Sequence, residues 1–147
     1  MTFFYADTSA VIGVYFVDEP EHDRLRRLLL ESDAPTVSSE LTRVEFASAV
    51  AAAHRNRRVG DPGTVLDRFD ADCGGSGVFT LLRLDPAIAL PRARTLVLDH
   101  RLRTLDAIHL AVALTGATTL AAGEPITFVT CDQQQGAAAI ACGLTVV

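Results

Sequence analysis

The stretch Phe3-Phe4-Tyr5-Ala6-Asp7-Thr8-Ser9-Ala10-Val11-Ile12 (FFYADTSAVI) decides how this chain is read. Its first four residues are apolar, aromatic-rich and few, which predicts a buried strand over 3–6. After Ser9 the pattern turns helical. Asp7 stands between the two, in surroundings where an unpartnered ionised carboxylate costs several kcal/mol. Three arrangements make such a position tenable. Asp7 caps the following helix, pairs with an arginine, or holds a cation.

The alternation continues along the chain. Helical patterns cover about 21–31, 40–57, 64–72, 86–99, 104–115 and 133–142. Strand patterns cover 36–38, 79–84, 126–130 and 144–147. Leu25, Leu28 and Leu29 share one helical face; Leu41, Val44, Ala47 and Ala51 share another, behind a Ser38 or Ser39 cap. Gly60-Asp61-Pro62-Gly63 reads as a break. Gly74-Gly75-Ser76-Gly77 lacks the GxGxxG spacing of a dinucleotide site and precedes a strand, so it reads as a turn. Short apolar strands alternating with helices predict an α/β fold whose mostly parallel sheet is covered on both faces. No repeat or linker divides residues 1–147, which read as a single domain.

With 49% apolar residues the chain has enough material for a core. No apolar run reaches membrane-span length and no signal peptide opens the chain, so the expectation is a cytoplasmic protein with no membrane partner. Cys73, Cys131 and Cys142 show no CxxC spacing, which speaks against structural zinc. All 13 basic residues are arginine, so a lysine-bearing phosphate loop is excluded. Phosphoaspartate chemistry of the dehalogenase type fails on the same ground, and Ser9 stands where that chemistry has a second aspartate. The net charge of −5 conceals local arginine groups, and arginine's planar fork matches phosphate oxygens as well as it suits a solvated helix face.

Carboxylates gather where such folds place chemistry. Functional residues of open parallel sheets collect beyond the carboxyl ends of the strands. Asp7 follows the first strand and Asp132 follows Ile126–Thr130, so both fall on one sheet edge. Each alone suits a helix cap. Asp106, just after a Thr104 cap, suits a helix dipole. Glu45 lies in mid-helix, where no cap or dipole argument applies; a salt bridge to Arg43 or Arg103, or simple exposure, is the ordinary account. Clustered carboxylates repel, and a hard divalent cation reverses that balance. Ser9 and Thr130 adjoin the carboxylates and could orient one or hold a water. His109, one turn after Asp106, reads as a partly buried hydrogen-bonding residue and not as a ligand.

Taken in order, ADTSA, TRVEF, LDAIHLA and VTCD, with the closing AAAIACGLTVV, resemble the PIN domain over essentially the whole chain, and in particular VapC-type toxins of toxin–antitoxin pairs. The resemblance implies a three-layer α/β/α Rossmann-like sandwich and a metal-dependent ribonuclease site. It carries the acidic set onto Asp7, Glu45, Asp106 and Asp132, with Thr130 and Ser9 in support. Mg²⁺, or alternatively Mn²⁺, is the implied cofactor, and cleavage would leave a 5′-phosphate and a 3′-hydroxyl. Partners implied are RNA, a small cognate antitoxin and a second copy in a homodimer. Arg43, Arg101 and Arg103 are the candidate phosphate contacts. Two alternatives stay open: an RNA-processing PIN nuclease without an antitoxin, and a non-catalytic PIN-like binding module.

Overall fold

The computed structural model describes residues 1–147. Strands β1 (Phe3–Ala6), β2 (Thr36–Ser39), β3 (Phe79–Leu82), β4 (Ile126–Val129) and β5 (Thr145–Val146) form one sheet in the order β3-β2-β1-β4-β5. Every pairing is parallel. Between them run α1 (Thr8–Tyr15), α2 (His22–Leu30), α3 (Thr42–Arg55), α4 (Pro62–Asp72), α5 (Pro86–His100), α6 (Thr104–Val112), α7 (Thr118–Ala121) and α8 (Gln133–Ala141).

Alternation along the strands builds two cores. Tyr5 and Phe128 stack with ring centroids 5.4 Å apart on one face, where they meet Leu96 of α5, Leu110 of α6 and Ala139 of α8. Ala6 and Val129 turn to the other face, against Val11 of α1, Leu25 of α2, Phe46 of α3 and Phe69 of α4. The first four helices thus cover one side and the later ones the other, giving the three-layer sandwich expected from the sequence.

Several boundaries differ from expectation, each for a physical reason. Ser38 and Ser39 do not cap α3. Pairing with Leu81 and Leu82 commits both to β2, and Ser38 donates to the Ala6 carbonyl at 2.6 Å. The helix α3 therefore starts at Thr42 with no side-chain cap. Thr104 is likewise the first helical residue and not the cap. The Gly60–Gly63 stretch is less a break than a start: Asp61 caps α4 and Pro62 occupies its first turn. Gly77 closes the following turn so tightly that a Cβ would lie 2.1 Å from the Asp72 carbonyl oxygen.

Helix α6 does not stop near residue 115. It passes through a π-helical turn, Ala113–Ala117, into α7. The resulting 18-residue rod, Thr104–Ala121, has a mean hydropathy of 1.3 and reaches the length and average apolarity of a membrane-crossing helix by composition alone. Its apolar side, with Leu110, Ala111, Ala113 and Ala117, is buried in the protein's own core, and its first turns carry Asp106 and His109. It is a core helix.

Candidate active site

The strand order reverses at β1, whose neighbours are β2 on one side and β4 on the other. Such a reversal opens a crevice at the carboxyl ends of the strands. A cavity of about 320 Å³ lies there, lined by Asp7, Glu45, Asp106 and Asp132 together with Thr8, Ser9, Arg103 and His109. Residues separated by up to 125 positions are brought together by sheet register and helix placement.

Asp7 follows β1. Because Ala6 pairs with Val129, the next residues, Asp7 and Thr130, stand side by side. The Asp7 side chain caps α1: Oδ1 accepts from the Ala10 amide at 3.0 Å and from the Ser9 hydroxyl at 2.7 Å. Thr130 donates to Oδ2 at 2.8 Å. The residue is 3% exposed. Burial pushes its pKa above the usual carboxylate value, against these three hydrogen bonds, which pull it down. Capping and site membership, set against each other in the sequence reading, are combined in one side chain. Asp132 does the same for α8, its Oδ1 accepting from the Gln135 amide at 3.0 Å.

Glu45 is not in mid-helix, since the late start of α3 places it in the first turn. Its partner is neither Arg43 nor Arg103. The Thr8 hydroxyl donates to Oε1 at 2.9 Å, and Nε2 of His109 lies 2.6 Å from the same oxygen. Burial raises the Glu45 pKa, but the hydrogen bonds from His109 and the Thr8 hydroxyl outweigh it and leave the carboxyl below its usual value.

Asp106 and Asp132 are joined through Arg103. Its Nε donates to Asp106 at 2.9 Å and its Nη2 to Asp132 at 3.3 Å, although the side chain is 80% exposed. No three acidic, histidine or cysteine side chains are drawn close enough together to hold a metal ion as they stand. The donor set nevertheless suits a hard divalent cation: four carboxylates and the hydroxyls of Thr8, Ser9 and Ser48 share one crevice, and a buried Asp7 is disfavoured as an anion without one. Arg103 supplies positive charge at that edge of the cavity.

Of the arginines singled out from sequence, only Arg103 lines the cavity. Arg43 pairs with Asp70 of α4 at 2.9 Å, and Arg101 ends α5 in the left-handed region at φ 54°. Arg24, Arg26 and Arg58 are occupied by acidic neighbours. Two contributors carried no sequence signal. Thr8 reaches Glu45, and buried Gln135 donates to the Asp106 carbonyl at 3.1 Å, tying α8 to α6.

A profile of the PIN domain family matches residues 4–140. The chain belongs to the PIN domain family. Ribonuclease VapC46 of Mycobacterium tuberculosis (strain ATCC 25618 / H37Rv) is 39% identical over 113 residues, covering 77% of this PIN domain chain and 75% of the relative. Among solved structures, a toxin–antitoxin complex from Klebsiella pneumoniae aligns with a TM-score of 0.60 at 19% identity, over 100% of this chain and 96% of that one. The crystal structure of FitAcB from Neisseria gonorrhoeae aligns at 0.61 and 18% identity, over 97% and 95%. Both likenesses bear on the fold, which is the PIN architecture.

Proposed function

We propose that this PIN domain is a divalent-metal-dependent endoribonuclease acting as the toxin of a toxin–antitoxin pair, with residues 1–147 working as one domain inside the cell. The observation that carries the reading is the convergence of Asp7, Glu45, Asp106 and Asp132 on one cavity. The 39% identity to a protein named a ribonuclease supports the activity, and the toxin–antitoxin neighbour supports the role.

Asp7, Asp106 and Asp132 would hold Mg²⁺ or Mn²⁺, with Glu45 completing the set or orienting a water. Such an ion supplies positive charge to a phosphoryl oxygen and acidifies a water near neutral pH. The chain's own residues do the rest. Ser9, Thr130 and the Ala10 amide fix the Asp7 carboxylate, leaving little freedom to its head group. Glu45, held through Oε1, presents Oε2 as the acceptor for a proton from an attacking water. Arg103, exposed and flexible in stem, binds a backbone phosphate next to the acidic pair. None of these contacts reads a base, so the choice of RNA comes from groove shape and from phosphate geometry. A homodimer and a small antitoxin complete the assembly; the exposed Ile88, Leu90 and Leu98 of α5 offer apolar surface for such contacts.

The test is cleavage of RNA by the purified chain, free of any partner, with Mn²⁺ or Mg²⁺. Cleavage that disappears with EDTA and with Asp106→Asn supports the reading. A folded chain that binds RNA without cutting it supports the binding module instead.

A further inference from the structure

A buried polar chain leads from the middle of the sheet to Glu45. Tyr5, on β1, is fully buried, and its hydroxyl lies 2.9 Å from Nδ1 of His109. His109, on α6 and 1% exposed, carries the chain on to Oε1 of Glu45 through Nε2. The Thr8 hydroxyl converges on that same oxygen. Three elements, β1, α6 and α3, each contribute one member.

Hydrogen-bond accounting fixes the direction of this chain. An ionised carboxylate only accepts, so the proton between His109 and Glu45 belongs to Nε2. In the neutral ring the lone pair is then on Nδ1, and it accepts the Tyr5 O–H. The reverse tautomer would set two lone pairs against each other 2.6 Å apart, beside a buried imidazole. Both protein donors reach Oε1, so Oε2 is the oxygen left for the cavity. The Tyr5 ring packs independently of its hydroxyl, stacked on Phe128 and edge-on to His109.

We propose that Tyr5 and His109 are positioning residues for Glu45: Tyr5 donates to Nδ1 and holds the His109 ring in place, and His109, donating from Nε2, locks the carboxylate so that Oε2 serves the cavity. The kinetic half of this inference rests on the nuclease reading above; the structural half does not. Tyr5 does not line the cavity, and His109, at its wall, is 1% exposed. Partners of this kind, one shell behind the acting group, are worth about 10–100-fold in activity.

Tyr5→Phe, His109→Gln and His109→Leu in the full chain separate the possibilities. In ¹⁵N-labelled wild type, long-range ¹H–¹⁵N correlation should show His109 protonated at Nε2 alone. Tyr5→Phe, which leaves Nδ1 without a donor, should move the His109 Nδ1 resonance and the ¹³C resonance of the Glu45 carboxyl. With Mn²⁺ and a fluorescent single-stranded RNA, His109→Leu should lower kcat about tenfold while KM stays within about twofold. His109→Gln, which restores an amide donor toward Glu45, should recover part of that loss. A wild-type His109 protonated at Nδ1 overturns the proposal. So does an unchanged kcat in folded His109→Leu and Tyr5→Phe proteins. If His109→Leu fails to fold, Tyr5→Phe and His109→Gln decide alone. If the wild type cuts no RNA, the nuclease reading fails, and the relay stands or falls on the tautomer and the Glu45 resonance.

Discussion

The Asp7 carboxylate closes the first turn of α1 and also forms the floor of the acidic cavity. Burial raises its pKa, so the folded protein binds a proton at pH values where the unfolded chain has already lost it. The sign follows from linkage: metal-free stability contributed by this group falls as pH rises from the unfolded carboxylate value, about 3.9, through the folded value. Above that window the charge is a net cost. Asp7→Asn keeps the cap acceptor and removes the charge, so it should melt higher than wild type without metal at neutral pH. A difference of about 1 kcal/mol would appear as about 2–4 °C in Tm. The two curves should converge on acidification, and calorimetry of both proteins across pH checks it. This coupling was legible in outline, because a carboxylate inside FFYADTSAVI has few explanations. What the sequence hid was that the cap and the cavity use the same side chain. The Arg103 bridge was hidden too, because it depends on how the first turn of α6 meets the cap of α8.

At the level of elements, the strands followed from short apolar runs, but helix starts were set by competition. Ser38 and Ser39 are good caps by residue type, yet ladder pairing with β3 claimed them, which moved α3 along and carried Glu45 into its first turn. Asp61 and Asp85, each followed by proline, are caps of the ordinary sort. Asp85→Ala should destabilise the fold by about 1 kcal/mol, read from chemical denaturation with an unchanged m value. Gly77→Ala should also destabilise, because the atom its Cβ would meet is backbone and cannot rotate away. Restored stability in Gly77→Ala would show that the 74–77 turn rearranges freely. The join of α6 to α7 through a π-helical turn had no readable signal, since Ala113 to Ala117 would suit a regular helix equally well.

Over the whole molecule, the strand order of the parallel sheet reverses at β1 and opens an acidic crevice lined by four carboxylates distant in sequence. A ligand that binds only the folded state stabilises it, by about 2.7 kcal/mol at 100 times its Kd. Mn²⁺ should therefore raise the Tm of the wild type, and Asp7→Asn should lose that increase; an equal increase in both would place the ion elsewhere. The net charge of −5 is compatible with an RNA partner only if positive charge is concentrated at the crevice. Arg103 and a bound cation supply it; the other arginine groups are mostly spent on surface ion pairs or lie away from the cavity. The most direct measurement is RNA cleavage by the partner-free chain in Mn²⁺, run beside its Asp7→Asn variant. The account predicts cleavage by the wild type and none by a folded Asp7→Asn protein; equal cleavage by both, or none by either, would contradict it.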